Sequence, residues 1–274
     1  MFKPLVVAAF LLFFYLPAFC RPDTTVSFNC FQKGYEMQAS KKYKEALIEY
    51  DSCVTANPGY DKVYLYRGLV KYHLNDLKGS IDDYTKFISS NPKSSMAFDN
   101  RGYSKFLLGD DQGALDDYNR SIIIDQNASR AFFNRGGVKN RLGQFQEAVA
   151  DFNIALSLDP DNADIYFNIG ISKGALYDNA AAVDAFTNAI KLRPAFELAF
   201  LYRGINKSLL KLYKEADEDF NQCLALNPNN SEAYLSRGDM KLDENDKQGA
   251  CADFQKALSL GNNRAAKIIR ENCN

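Results

Sequence analysis

Glycine falls at residues 34, 68, 102, 136, 170, 204 and 238, always 34 residues apart. Lysine or arginine precedes it in six of these seven cases. An interval of that length marks a tandem array, in which one supersecondary unit is copied and each copy buries its apolar side against the next. Numbering the copies from residues 27, 61, 95, 129, 163, 197 and 231 puts the glycine at position 8. Position 20 then reads Ala46, Ser80, Ala114, Ala148, Ala182, Ala216 and Ala250, and position 24 reads Tyr50, Tyr84, Tyr118, Phe152, Phe186, Phe220 and Phe254. The residues around each glycine scan as helix, where glycine costs about 0.5–1 kcal/mol relative to alanine. The missing side chain must therefore make room for something. Small residues at two positions let two helices approach closely, and a ring at the third fills the space beside them.

A turn at positions 14 to 17, such as Leu108-Gly109-Asp110-Asp111, divides each copy into two short helices. Pro58, Pro92, Pro160, Pro194 and Pro228 stop the second helix in five copies, while Gln126 and Asn262 stand at that place in the other two. The expected fold is all-α, built of helical hairpins at 27–60, 61–94, 95–128, 129–162, 163–196, 197–230 and 231–264, with a closing helix in 265–274.

These glycines, alanines and rings in strict register resemble the tetratricopeptide repeat family, over about residues 27 to 264. The resemblance implies a right-handed α-α superhelix whose concave face is lined by the first helices. It departs from the family pattern at position 4, often tryptophan there, which holds Cys30, Tyr64, Phe98, Phe132, Tyr166, Phe200 and Tyr234. What it implies about activity is a non-enzymatic scaffold for protein–protein interaction.

The charged residue before the glycine has a partner of its own. In a hairpin that turns near position 15, position 7 lies opposite position 23, which pairs Lys33 with Glu49, Arg67 with Asp83, Arg101 with Asp117, Arg135 with Asp151, Arg203 with Asp219 and Arg237 with Asp253. In the fifth copy both charges vanish together, leaving Ile169 and Ala185. Charges that come and go as pairs predict an ion pair within each hairpin, whose main contribution is register. The competing reading has the arginines lining a ligand groove.

Basic and acidic residues number 33 and 34, a net charge of −1, which leaves no electrostatic footprint for nucleic acid or for an anionic membrane surface. Residues 1–20, MFKPLVVAAFLLFFYLPAFC, carry one lysine and an apolar core from Leu5 to Leu16, and fit a secretory signal. An uncleaved anchor and a lipid-modified Cys20 are the alternatives, and only they would bring a membrane into play. The expected location is outside the reducing cytosol, periplasmic or extracellular. Cysteines read accordingly: Cys30 faces Cys53 across the first hairpin, and Cys251 faces Cys273 on the closing helix, so bridges at both ends are expected, with Cys223 a free, buried thiol. Reduced, packed thiols are the alternative. The closing stretch GACADFQKALSLGNNRAAKIIRENC also resembles the ending of exported bacterial repeat proteins.

Catalytic chemistry finds little support. The single histidine, His73, has no cysteine or carboxylate placed to complete a triad or a metal site, and no CxxC, HExxH, GxSxG or phosphate-binding glycine loop occurs. No enzyme activity, cofactor or metal is expected. Acid pairs such as Asp82-Asp83 and Asp116-Asp117 recur at fixed positions and read as scaffold. Sequons at Asn119, Asn127, Asn206 and Asn229 matter only in a host that glycosylates them.

The family resemblance places the groove at positions 2, 5, 6, 9, 12 and 13 of each first helix. Read there, the chain offers an aromatic and apolar zone with Phe31, Tyr35, Leu65, Tyr66, Tyr72, Tyr103 and Phe106. A central zone follows with Arg130, Phe133, Asn134 and Arg141, and an acidic one with Glu232, Asp239 and Asp243. Asn100, Asn134 and Asn168 hold position 6 of three successive copies. Their amides offer donor and acceptor to the backbone of an extended ligand, like the asparagine ladder of some tetratricopeptide grooves. The expected function is a scaffold that holds a peptide or helix of a partner protein. The alternative is a structural subunit of an envelope or secretion complex that self-associates.

Overall fold

The computed structural model describes residues 24–273. The expected leader, 1–20, and the choice between leader and anchor lie outside the described residues. Among the described residues there are fifteen helices and no strand. They fall into two compact units, Met1–Phe87 and Ile88–Asn274. The first contains α1 (Thr24–Ala39), α2 (Tyr43–Ala56), α3 (Asp61–His73) and α4 (Leu77–Ser90) as far as Phe87. The second contains α5 (Ser95–Leu107), α6 (Asp111–Ile124), α7 (Ser129–Arg141), α8 (Phe145–Leu158), α9 (Ala163–Ala175) and α10 (Asn179–Leu192). It continues with α11 (Glu197–Leu209), α12 (Tyr213–Leu226), α13 (Ser231–Asp243), α14 (Lys247–Ser259) and α15 (Arg264–Asn272).

Each hairpin turns on one residue in the left-handed region, always at position 15: Lys41, Asn75, Gly109, Gly143, Tyr177, Lys211 and Asn245, with φ between 58° and 84°. Only two of the seven are glycine, the residue that adopts this conformation without strain. The aspartate that follows often caps the second helix, Asp110 accepting from the Gly113 amide at 2.9 Å and Asp246 from the Gly249 amide at 2.9 Å. The turn thus supplies both the reversal and the first hydrogen bond of the next helix.

Packing inside the hairpin explains the 34-residue glycine. All seven position 24 rings are 0–1% exposed. A Cβ placed on Gly34, Gly136, Gly170 or Gly238 would stand 2.6 Å from a carbon of the ring opposite, and on Gly68, Gly102 or Gly204 it would stand at 3.0–3.1 Å. No side chain fits the tighter places unless the ring moves. Burying each ring contributes about 2–3 kcal/mol, so the glycine's cost in helix propensity is more than offset. In the second unit the first helices touch in succession, α5 to α7, α7 to α9, α9 to α11 and α11 to α13. No two second helices of that unit approach as closely. Its first helices therefore make the inner row of a solenoid.

The charged pairs form in five hairpins. The position 7 guanidinium grips the position 23 carboxylate with two bonds, Nη2 at 2.6 Å and Nε at 2.8–2.9 Å, in Arg67–Asp83, Arg101–Asp117, Arg135–Asp151, Arg203–Asp219 and Arg237–Asp253. A third member went unread in the sequence. Lys71, Lys105, Lys139, Lys207 and Lys241, all at position 11, hold the same carboxylates at 2.7–2.9 Å. The aspartate side chains are only 4–6% exposed, so two cations are needed to repay their desolvation. Each guanidinium also lies 5.4–5.6 Å from the centre of its own repeat's position 4 ring. In four of them Nη1 reaches back to the preceding hairpin, from Arg67 to Asp51 at 2.8 Å, from Arg135 to Asn119 at 2.7 Å, from Arg203 to Thr187 at 3.1 Å, and from Arg237 to Asn221. One arginine therefore ties two helices of its own repeat and the repeat before it.

The sixth expected pair does not form. Lys33 is exposed and makes no ion pair with Glu49. Here position 4 is Cys30, so no ring steers the cation, and lysine is a flexible point charge without arginine's fork. Instead Cys30 is bonded to Cys53, with Cα atoms 5.6 Å apart. At the other end Cys251 is bonded to Cys273 with a Cα separation of 5.7 Å, fixing α15 where Ala265, Ile268 and Ile269 cover Leu235, Phe254 and Ala257. Cys223 is a buried free thiol whose pKa is raised to about 12 by burial and by the Glu197 charge.

Candidate functional site

In the first unit the expected groove aromatics pack on one another. Phe31 is 6% exposed and belongs to the core rather than to an open face. Tyr66 and Tyr60 stand edge-on to it at 5.2 and 5.6 Å, and Tyr50 lies beneath at 5.9 Å. The Lys62 ammonium sits 5.0 Å from the Phe31 ring centre. Tyr35 stays half exposed, edge-on to Tyr66 at 5.7 Å, and Leu65 is half-buried. Tyr72 is half-buried beside His73, whose ring stacks on Tyr43 at 4.4 Å and whose pKa is lowered by burial.

In the second unit the central zone is largely committed to internal bonds. Asp99, at a position where other repeats carry Phe or Leu, is 4% exposed. The Arg130 Nε donates to its Oδ2, and the Asn134 amide donates to its Oδ1 at 3.0 Å. Arg130 also donates to the Asn100 Oδ1 at 2.8 Å. These four side chains lash α5 to α7. Asn168 donates to the Asp164 carbonyl of its own helix at 2.8 Å. All three ladder asparagines are half-buried and each already makes an internal bond. Arg141 stacks on the Phe106 ring at 3.7 Å, donates to the Phe106 carbonyl at 2.9 Å and pairs with Asp111. Tyr103 stacks on Phe106 at 6.4 Å, and Phe133 packs against Phe152 at 5.8 Å.

Open apolar groups on the inner row include Met96 and Leu107 of α5, and a longer row lies further along. On α11, Leu198 and Leu209 are 44 and 63% exposed, and Tyr202, 36% exposed, rests on Phe186 at 6.1 Å and on the edge of Phe167 at 5.8 Å, while the same helix buries Ala199, Leu201, Gly204 and Asn206. On α13, Asp239 and Asp243 are exposed and unpaired, while Glu232 accepts from Arg264 at 3.0 Å and Asn262 at 3.2 Å. The acidic residues were legible in the sequence. The exposed α11 stripe was not singled out, though its spacing at positions 2, 6 and 13 of one helix carried the signal.

Tandem hairpins, each closed by a glycine against a ring and stacked through their first helices, define a helical-repeat scaffold. Two family models, described as TPR repeat and tetratricopeptide repeat, match residues 138–176 and 206–230. These two stretches carry the tetratricopeptide repeat pattern, and the fold of the chain is that of a tetratricopeptide repeat solenoid. Among solved structures it resembles a tetratricopeptide repeat protein from Parabacteroides merdae, at 20% identity, a TM-score of 0.68, and coverage of 91% of this chain and all of that one. A repeat-containing protein from Cytophaga hutchinsonii matches at 16% identity and TM-score 0.68, over 86% of this chain and 98% of that one. YrrB, described as a tetratricopeptide repeat protein with an unusual peptide-binding site, matches at 20% identity and TM-score 0.60, over 69% of this chain and 97% of that one. No curated protein matches the sequence.

Proposed function

We propose that the chain is an exported, non-catalytic scaffold that holds a peptide or helical segment of a partner protein on the first-helix face. The observation that carries this reading is the exposed apolar row Leu198, Tyr202 and Leu209 on an inner helix whose core side is already filled. Open apolar groups on an otherwise packed helix are the usual mark of a docking surface. The likeness to YrrB, whose description names a peptide-binding site, supports the same reading. Two disulfides support export, since such bonds persist outside a reducing cytosol. No helix among the described residues is long and apolar enough to cross a membrane. Affinity capture by the tagged chain from the extracellular or periplasmic fraction, followed by mass spectrometry, tests it. A stoichiometric captured protein is the result expected of this reading, and its loss on Asn134→Ala with Asn168→Ala is the result expected of the asparagine ladder; because Asn134 also bonds the buried Asp99, the melting temperature of the variant is measured alongside.

Self-association is the second reading, favoured by the turn edge of the second unit. Leu108, Leu142 and Leu210 all occupy position 14 and are 45, 45 and 38% exposed, with Tyr177 beside them in the sequence pattern at 89%. Light scattering on the purified chain separates the two readings. A dimer broken by Leu142→Ser and Leu210→Ser, with no second polypeptide captured, favours this one.

A further inference from the structure

Resting on the binding face proposed above, the second unit carries enough detail to name the kind of segment it takes. Leu198, Tyr202, Ile205 and Leu209 are spaced by four, three and four along α11, one helical face that runs about 16 Å over three turns. The equivalent positions on α13, which touches α11, hold Glu232, Ser236, Asp239 and Asp243. Because the repeats share one register, an apolar row lies beside an acidic one, separated by about 8–10 Å, the spacing of packed helices.

Glu232 at the head of the acidic row is held by Arg264 at 3.0 Å, but the two aspartates that follow make no ion pair where comparable acids do. Asp99 is claimed by Arg130 and Asn134, and Asp164 is held by Arg193 at 2.6 and 2.9 Å. Asp239 and Asp243 make no ion pair. The Asp239 carboxyl is pushed above the usual range by partial desolvation, with Arg264 opposing and Glu232 and Asp243 adding repulsion. A cation brought in from outside would relieve that repulsion. On the other flank, Phe167 of α9 stands edge-on to Tyr202 at 5.8 Å and Phe186 of α10 stacks on it at 6.1 Å, which fixes the tyrosine ring in the α11 row.

We propose that the face formed by α9, α11 and α13 takes an amphipathic helix of a partner protein, with its apolar stripe on Leu198, Tyr202 and Leu209 and its lysines or arginines over Asp239 and Asp243. Two parallel rows a helix-width apart match the two stripes of such a segment. An extended strand instead presents alternate residues to opposite faces. An anionic lipid surface is disfavoured by the same carboxylates.

The test uses the full disulfide-bonded chain and labelled synthetic peptides of about 18 residues, long enough to be held as a helix once bound. One has a leucine stripe flanked by lysines, one has the same composition with the stripe scrambled, and one has glutamate in place of lysine. Fluorescence anisotropy should show the lysine helix binding at least about tenfold more tightly than the other two. Leu198→Ser with Leu209→Ser should weaken it about tenfold, and Asp239→Asn with Asp243→Asn should weaken it similarly and flatten its salt dependence. All four substitutions are at exposed side chains, and circular dichroism melting should show no loss of stability. Equal binding of striped and scrambled peptides, or indifference to Asp239→Asn with Asp243→Asn, overturns the proposal. Capture of a native partner that survives all four substitutions but is lost on Asn134→Ala with Asn168→Ala also overturns it, while leaving the broader scaffold reading intact. Capture of no partner by the unaltered chain, with the lysine helix still bound, overturns the broader reading alone.

Discussion

Repeats four and five are neighbours in the second unit and close the same glycine-and-ring joint, one with charge at its flank and one without. In repeat four Asp151 is held by Arg135 and Lys139, and Arg135 reaches back to Asn119 in the repeat before. In repeat five the same places hold Ile169 and Ala185, 8 and 6% exposed, which join the core cluster of Phe132, Phe152 and Ile165. Lys173 is still present at position 11 but turns to Asp178 at the start of α10, 3.1 Å away. The helices pack in both repeats. The ionic triad is therefore dispensable for closing a hairpin, and what it adds is direction: a two-pronged bond fixes the angle of the pair and, through Nη1, its register against the repeat before it.

The largest effect that could break this comparison is Asp151→Ala. It strands Arg135 and Lys139 in a site that excludes most water, and urea unfolding should show a loss of about 3–5 kcal/mol. A loss below about 1 kcal/mol would place the triad among ordinary surface pairs. Next come Gly136→Ala and Gly170→Ala. Each puts a Cβ 2.6 Å from a buried ring, at Phe152 and Phe186 respectively, so both should cost about 1–3 kcal/mol alike, with or without the triad nearby. A clear difference between the two would mean that charge governs the ring's fit.

A smaller loss is expected when repeat four is given the repeat-five solution. Arg135→Ile with Asp151→Ala removes both bonded charges, but Lys139 then faces Gln144 where repeat five has Asp178. Adding Gln144→Asp should bring the variant within about 1.5 kcal/mol of the parent, well above Asp151→Ala alone. If it is no more stable than the single variant, the pairing argument fails. Smallest is Asp239→Asn, at an acid that makes no ion pair and feels Arg264 only at a distance. Its folded pKa is raised, so the folded chain binds the proton more tightly than the unfolded one, and the ionised form weakens the fold above that pKa. Thermal melting at neutral pH should therefore rise slightly for Asp239→Asn, and the difference should fade as pH falls through the carboxylate range. A lower Tm for the variant at neutral pH would contradict the repulsion.

Seven copies within one chain made the hairpin legible without any relative. Correlations that usually need many sequences, such as Arg135 with Asp151 and Ile169 with Ala185, could be read from one. Lys139 and its equivalents were equally periodic, yet a lysine every 34 residues looks the same whether it is solvated or buried on a carboxylate. Lys33 and Glu49 satisfied the pairing rule on paper, and the absence of a ring at Cys30 left the lysine in water. The inner face was the least legible part. Asn134 looked like a free amide until Asp99, 35 residues earlier, was found bonded to it.

The sequence alone determined the period, the two-helix unit, the glycine that meets a ring and the cysteines within reach of one another. These depend on spacing within one hairpin, where helical geometry turns sequence separation into distance. Only the tertiary structure decided which polar and aromatic groups remain for a partner. That depends on side chains contributed by the next repeat, about thirty residues away, and a group's desolvation and hydrogen bonds are settled only when the two helices meet.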